Sequence, residues 1–553
     1  MNHAVTTSAI GMRPAGGCPP PRLDRSHGPA RLLVDGNPFL VRGVELHNSS
    51  PSAAGSLAAG LRSATAANAN TVLAGVTWEE VEPVEGHFVL DSVRSVIEEA
   101  RAAGLRVILL WFGAWKNGSS SYAPAWVKRD WDRFPRCVLD DGSVTETLTP
   151  FAPSDLDLAA FRRLMEYVEE IDAEHRTVLM VQIENEVGLL GASRDRSRQA
   201  QQAFTQPVPE NLRDVVLSSQ DAAVVPADPS WSDLPGDPSA RDEAFMAWAL
   251  ASHIEKLARA GRAVSPLPFF TNAWLDSEID LDIPGFAVAG GQVPGTYPSG
   301  GPLPRVAGVW RTIAPTVDLY APDFYFGLPE TVFGDFLIMS DGLFIPEMRR
   351  DAAGAGHAML AIGEYHALGV SPFGTDSADG PELAALSDVY DLIRQTEPAL
   401  THRDGTPAVT RGFHLDDTTP RTELTIGSIV LTVTRSAPIG VDPAGTYGCG
   451  VIVAEEEDVF LAVGRGFRIG FTTTDPAWQI GLEAVTEGRY GPEGWTAQRR
   501  LNGDETAGGT AWLHPQPGRA SASPFPIPAH SDHSGISRCR IYRFPSREAP
   551  ALD

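Results

Sequence analysis

The sequence predicts an α/β fold: a (β/α)8 TIM barrel followed by an all-β, sandwich-like C-terminal domain. Three observations carry that prediction. From Leu32 to Glu397, short apolar, β-branched runs alternate with segments of helical period, the repeat of a parallel α/β sheet. Several of the runs end in polar residues, most densely at Gln182, Glu184, Asn185 and Glu186, and a closed barrel gathers its functional groups at those strand ends. After Glu397 the helical period stops, and short alternating segments separated by turn residues take over.

Length and charge set the bounds. A chain of 553 residues exceeds one ordinary core. The expected division is a disordered lead-in over 1–30, a catalytic barrel over 31–397 and a β-domain over 398–553. A net charge of −26 argues against nucleic acid and anionic membrane surfaces as partners. No apolar run is long enough to span a bilayer. Cys18, Cys137, Cys449 and Cys539 are widely separated, which predicts neither a disulfide framework nor a zinc site. The Gly- and Pro-rich N-terminus lacks an apolar signal-peptide core. The expected residence is cytoplasmic, or periplasmic or secreted if the N-terminus is processed.

The elements follow in order. Asp35-Gly36 between two apolar runs predicts a hairpin, and its second run, ending in Glu45, His47 and Asn48, is the first barrel strand. A small-residue helix spans Ala53 to Ala66. Strand two is Asn70 to Trp78, followed by a loop through Glu82-Pro83 and Gly86. Asp91 is placed to cap a helix whose apolar face is Val93, Val96, Ile97 and Ala100, ending at Gly104. Strand three is Leu105 to Trp111, then a long aromatic loop with Trp115, Tyr122, Trp126 and Trp131. Leu158, Phe161, Met165, Val168 and Ile171 mark the helix leading into strand four, Thr177 to Glu186. An insertion rich in Pro, Asp and Ser covers Ala192 to Ala240, and Phe245 to Leu257 resumes helical spacing. Strands five to eight are Leu267–Trp274, Val317–Tyr325, Leu343–Glu347 and Gly369–Asp376, with a helix around Ala352 to Ala367 before the last. The segments Leu424–Thr434, Gly450–Ala454, Val459–Val463, Phe467–Thr473 and Ser537–Phe544 build the β-domain.

Acids at barrel strand ends suggest cleavage of a glycosidic bond, which needs a proton donor for the leaving oxygen and a carboxylate on the other side of the sugar. Glu184, Glu186, Glu347 and Glu364 are the candidates. Period-two alternation does not let Glu184 and Glu186 share one role; Glu186 is favoured for chemistry and Glu184 for structure. Glu347 is favoured over Glu364, because a strand ending at Glu364 would leave too few residues for a helix before Val370. Trp274 could stack on a sugar and Tyr325 could orient the nucleophile; Asn272, Trp111, Glu45 and His47 are weaker candidates. His530-Ser-Asp-His533 reads as a plain loop rather than a metal site, and Glu455 to Asp458 as a solvated turn.

Gln182-Ile-Glu-Asn185-Glu186-Val-Gly188 resembles the acid/base motif of family 35 β-galactosidases, glycoside hydrolases of clan A. It departs from them in carrying Val187 where tyrosine is usual. Trp78, Glu82-Pro83, Gly86 and Phe88 resemble a signature shared with family 42 β-galactosidases, and Pro124-Ala125-Trp126 a family 35 loop. Glu347, the Ala-rich helix and Val370-Ser-Pro-Phe373 follow the order of a family 42 nucleophile and final strand, without the tryptophan often found there. The resemblance runs from about Leu32 to Ala385. It implies a retaining mechanism with Glu186 as acid/base, Glu347 as nucleophile and Asn185 bonding the sugar 2-hydroxyl, and it places Trp78 among the substrate-binding residues.

The expected function is therefore a retaining β-galactosidase of carbohydrate metabolism, cleaving terminal β-galactosides or related oligosaccharides by double displacement. No metal or organic cofactor is called for. The alternatives are another clan A β-glycosidase (a glucosidase, mannosidase or endo-glucanase) and a non-catalytic carbohydrate-binding protein. Homo-oligomerisation stays open.

Overall fold

Eight parallel strands close into a ring, each followed by a helix. The computed structural model describes residues 19–217, 225–277, 291–378, 380–400, 408–436, 446–491, 494–501, 503–516 and 533–546. In chain order the barrel runs β1 (Val41–Glu45), α1 (Ala54–Ala66), β2 (Thr71–Thr77), α2 (Asp91–Ala102), β3 (Arg106–Lys116), α3 (Leu158–Asp172), β4 (Val178–Asn185), α4 (Pro238–Arg262), β5 (Phe269–Trp274), α5 (Ala307–Ile313), β6 (Leu319–Phe324), α6 (Pro329–Ser340), β7 (Phe344–Met348), α7 (Ala352–Tyr365), β8 (Gly369–Pro372) and α8 (Gly380–Leu400). The ring closes where β8 pairs with β1, Gly369 opposite Val41.

Side-chain alternation sorts the strands into two cores. Val41, Leu73, Ile108, Leu110, Phe270, Leu319 and Phe344 pack together inside the ring, as the layered interior of such a barrel requires. Phe270 meets Phe344 edge to face, with ring centroids 5.3 Å apart. Their neighbours one residue along, such as Val44, Val72, Val107, Phe269 and Ile345, join the apolar faces of the helices outside. Below the ring, Ala30, Leu32 and Val34 are packed into the interior core. They belong to a hairpin, Arg31–Val34 with Asn37–Pro38, turned through Asp35 and Gly36 at φ 53° and 81°, the left-handed pair such a two-residue turn needs.

Residues 1–18 of the expected disordered lead-in lie outside the described residues. Within that lead-in, Arg22–Asp24 is a strand paired to Arg31–Val34, held by the Arg31–Asp24 ion pair at 2.6 Å. Asp91 is the first residue of α2 rather than its cap, and Leu90 precedes it with no side-chain bond; the acid still sits favourably at the helix's positive end. The insertion is partly helical, with Arg198–Phe204 packed through Phe204 onto Phe245 of α4. Residues 218–224 of the insertion and 278–290 of the Gly/Pro-rich loop are outside the described set.

The C-terminal strands are β9 (Thr410–Leu415), β10 (Arg421–Ile426), β11 (Ile429–Arg435), β12 (Gly448–Glu456), β13 (Val459–Arg465), β14 (Phe467–Thr473), β15 (Trp478–Gly491), β16 (Gly494–Leu501), β17 (Trp512–His514) and β18 (Ile536–Pro545). They form a six-stranded sheet ordered β9-β12-β13-β18-β15-β16 and a four-stranded sheet ordered β10-β11-β14-β17. Phe413, Leu431, Ile452, Phe460, Ile469 and Trp512, drawn from both sheets, share one core, which makes the pair a sandwich. The Glu455–Asp458 turn is ion-paired to Arg538 and Arg540 of β18 rather than simply solvated.

The six-stranded sheet packs on α7. Every residue of α7 from Ala353 to Gly363 is buried, and Val451 and Val453 of β12 belong to the same apolar cluster as Ala355, Ala358, Met359 and Ile362. The small residues of α7 permit this: a Cβ on Gly363 would lie 2.8 Å from the Gly412 Cα. No helix among the described residues is long and apolar enough to cross a membrane.

Candidate active site

The inward parity of the strands becomes polar at the C-terminal mouth. Along β1 the interior positions are Val41 and then Glu45; along β6 they are Leu319, Ala321 and Asp323; along β5 they are Phe270, Asn272 and Trp274. Glu45, Asn272 and Asp323 are all buried. Glu347 lies on β7 opposite Asp323 of β6, beside a register shift between β7 and β8.

Strand four departs from alternation where the motif begins. Glu184 has φ 59° and Glu186 φ 46°, a left-handed backbone uncommon for residues with a Cβ. Those two turns send the carboxyls to different places. Glu184 accepts from the backbone amides of Gly113, Ala114 and Trp115 at 3.2, 3.0 and 2.8 Å. Glu186 points to the mouth, and its own amide donates to Asn272 Oδ1 at 2.9 Å.

The same arrangement explains why β3 is longer than expected, continuing past Trp111 to Lys116. Glu184 supplies acceptors for amides that β4 no longer faces, since the β3–β4 register shifts between Trp111 and Lys116. Gly113 is required there, because a Cβ would lie 2.1 Å from Asp157 Oδ2 and 2.6 Å from Glu184 Oε1. The extension carries Lys116 to the mouth, where its ammonium acts electrostatically on both Glu45 and Glu186.

Asn272 ties the centre together. Its Nδ2 donates to Asp323 Oδ2 at 2.6 Å and to Asn185 Oδ1 at 3.1 Å. Asn185 Oδ1 also accepts from Gln182 Nε2 at 3.0 Å, and Asn185 Nδ2 donates to Asn117 Oδ1 at 3.2 Å. On the opposite side, the Tyr325 hydroxyl donates to Glu347 Oε1 at 2.6 Å. Trp274 is half-buried at the end of β5, in register with Asp323.

Burial and mutual repulsion load these acids with protons. Burial, then the charge of Glu347, raises Glu186 to about 8, against a smaller pull downward from Lys116. Glu45 and Asp323 are both held well above the usual carboxylate range, first by burial and then by Glu347. Burial and the Glu347 charge likewise raise the Tyr325 phenol, keeping it a donor.

Two sequence-predicted binding residues are elsewhere. Trp78 is fully buried, its indole N–H bonded to Glu82 Oε2 at 2.9 Å and its ring edge-on to Trp126. Trp111 is fully buried, bonded to Asp157 Oδ2 at 2.6 Å and packed on Phe161. Neither offers a face to a sugar; their place is in the layer between strands and helices. Glu82 also accepts from the Gly86 amide at 2.8 Å, so the Trp78–Gly86 signature braces a loop. His47 is bonded to Ser377 Oγ at 2.7 Å. Glu364 lies on α7, bonded to Arg411 Nε at 2.8 Å and the Gly412 amide at 3.1 Å of β9, apart from the mouth. Lys116 and Asp323 escaped the sequence reading. Asp323 had a signal, two residues before Tyr325 on the same strand face.

One group of metal-ligand types is gathered among the described residues: Asp157, Glu184 and His253, with ligand atoms within 4.8 Å of one another. Its atoms already have partners. Asp157 takes Trp111 on one oxygen and His253 Nε2 on the other at 3.0 Å, and both Glu184 oxygens take amides. Burial and then Asp157 push Glu184 well up. His530 lies outside the described residues; His533 Nδ1 is 3.5 Å from Glu487 Oε1.

No curated protein sequence matches the chain. Among solved structures, the β-galactosidase of the psychrophilic Marinomonas ef1 is 12% identical, with a TM-score of 0.45 over 64% of this chain and 60% of that one. The β-galactosidase of Bacillus circulans sp. alkalophilus is 12% identical, with a TM-score of 0.45 over 65% and 56%. The catalytic domain of a Paenibacillus polymyxa β-amylase is 12% identical, with a TM-score of 0.46 over 63% and 96%. The chain thus spans about 60% of the length of the first of these structures. A model of a domain of unknown function (DUF5597) matches residues 386–512, from α8 into the sandwich. The β-galactosidase model of glycoside hydrolase family 42 matches residues 56–218, which hold β2 to β4 with Lys116, Asn185 and Glu186, so that stretch of the barrel is similar to the family 42 β-galactosidases.

Proposed function

We propose that this chain is a retaining β-galactosidase, hydrolysing terminal β-galactosides by double displacement. The observation that carries the reading is the placement of Glu186 and Glu347 at one barrel mouth, with Glu186 held protonated near neutral pH by burial and by Glu347 itself. An acid that must give a proton and a carboxylate that must attack need that division of states.

In the first step a Glu347 oxygen bonds to the anomeric carbon. The glycosidic C–O electron pair leaves with the aglycone oxygen, which takes the Glu186 proton. In the second step Glu186, now a carboxylate, removes a proton from water, the water oxygen bonds to the anomeric carbon, and Glu347 departs. Tyr325 holds the Glu347 carboxylate in position through its hydroxyl. Asn185, fixed by Gln182 and Asn272, keeps one amide hydrogen for the sugar 2-hydroxyl, and Trp274 forms an aromatic wall.

The test is Glu347→Ala with aryl β-galactoside and azide. The reading expects loss of hydrolysis and formation of the α-galactosyl azide; retained turnover, or no azide product, removes the nucleophile. Glu186→Gln should lose least on substrates with good leaving groups, and equal loss on all of them removes the acid. A panel of nitrophenyl glycosides tests the sugar: preference for a glucoside or mannoside would keep the machinery and replace galactose.

A further inference from the structure

Asp323 lies against the acid/base in a way that hydrogen-bonding rules constrain. Its Oδ2 accepts from Asn272 Nδ2 at 2.6 Å. Its Oδ1 is buried and meets no N–H or O–H donor among the described residues. What the Asp323 carboxyl faces is the Glu186 carboxyl, buried like itself and tied to the same Asn272. Two carboxylates offer only acceptors to each other, so once Glu186 has given up its proton the contact needs a hydrogen from Asp323.

Asn272 decides the relative placement of the pair, because it binds the Asp323 side chain and the Glu186 backbone together. The other charged or titratable groups facing them are Glu347 from β7, Glu45 from β1, Lys116 from β3 and Tyr325 just past the end of β6. One ammonium does not balance three buried carboxyls with the half-buried Glu347 beside them, so some must stay neutral. Burial, then Glu347, Glu186 and Glu45, all favour the neutral form of Asp323.

We propose that Asp323 is a positioning residue for the acid/base, a protonated carboxyl that donates a hydrogen bond to Glu186 throughout the catalytic cycle. The proposal rests on the reading of Glu186 as acid/base. When Glu186 passes its proton to the leaving oxygen, the carboxylate it becomes accepts from Asp323, which neither gains nor loses a proton. Hydrogen bonding to the charged form strengthens an acid. Asp323 thus keeps Glu186 acidic enough to protonate the aglycone while burial keeps it loaded.

The test compares Asp323→Asn with Asp323→Leu, both close to aspartate in shape. Asparagine can donate to Glu186 through Nδ2 and accept from Asn272 through Oδ1. The basic limb of kcat/KM should stay at the wild-type position in Asp323→Asn and move up by about one pH unit or more in Asp323→Leu. A fall of the limb by about one unit in Asp323→Asn would mean that a negative charge had been removed, and would overturn the proposal. An unmoved limb in Asp323→Leu would overturn it too. Infrared difference spectra of the resting protein at pH 7 give a readout without turnover. Asp323→Asn should remove one protonated-carboxyl C=O band, and its persistence sinks the idea. If the wild type cleaves no aryl glycoside, the infrared arm still decides the proton on Asp323, while the silent assay counts only against the acid/base reading.

Discussion

The Tyr325 hydroxyl donates to Glu347 Oε1 at 2.6 Å. This bond joins the ends of neighbouring strands β6 and β7 and fixes which way the Glu347 carboxylate faces. Tyr325→Phe should lower kcat/KM on aryl β-galactosides by about 10²-fold, with the melting temperature little changed. A loss of stability with unchanged turnover would make the bond structural only.

Glu186 should set the alkaline limb of activity. Raised to about 8, it carries its proton below that pH and loses its role as donor above it, so kcat/KM should fall as pH rises through about 8. Removing the neighbouring negative charge should pull Glu186 down. An infrared or carbon-13 NMR titration of Glu347→Gln should find the Glu186 carboxyl about one unit or more lower than in the wild type. A shift upward would contradict the electrostatic account.

Glu184 should matter to the fold through β3. Glu184→Leu leaves the amides of Gly113, Ala114 and Trp115 without their acceptor, at a cost of about 1–3 kcal/mol for each buried group left unpaired. Thermal or denaturant unfolding should show the loss, with Glu184→Gln intermediate because it keeps one acceptor oxygen.

The two tryptophans at the ends of strands two and five should behave oppositely. Trp78→Phe removes a buried indole and its bond to Glu82; it should cost about 1–3 kcal/mol of stability and leave KM unchanged. Trp274→Ala should raise KM with little effect on unfolding. Steady-state kinetics and melting curves on the same two variants separate the assignments.

Glu364→Gln should leave turnover intact. Its carboxylate pairs with Arg411 at 2.8 Å where both side chains are partly exposed, so the stability cost should stay within about 1 kcal/mol. Loss of activity with an unchanged melting temperature would reopen Glu364 as a nucleophile.

The order of strands and helices was legible in the sequence because burial on both strand faces leaves continuous apolar runs, and because each helix shows one apolar stripe. Glu186, Glu347, Asn185, Asn272 and Tyr325 were legible for a related reason: polar residues stand out where such a run stops. Trp78 and Trp111 misled because an aromatic residue at a strand end looks alike whether it faces the pocket or the helices. Only the parity of the whole strand separates the two, and Trp111 follows Leu110, whose side chain faces the interior. Lys116 was hidden because β3 is prolonged by a side chain from β4, a contact made 69 to 71 residues away. The left-handed turns at Glu184 and Glu186 carry no glycine or asparagine to announce them.

Helix α7 has one further consequence. It directly follows the strand that bears Glu347, and it has no wet side: the barrel covers one flank and β9 and β12 cover the other. A chain stopped after Leu400 would present that helix to solvent with an outer surface mostly of alanine, glycine, methionine, leucine and isoleucine, broken only by His357 and Glu364, and would be expected to precipitate rather than fold as a smaller enzyme. The two halves therefore depend on each other: trimming the sandwich in search of a minimal catalyst would strip the cover from one of the barrel's own helices.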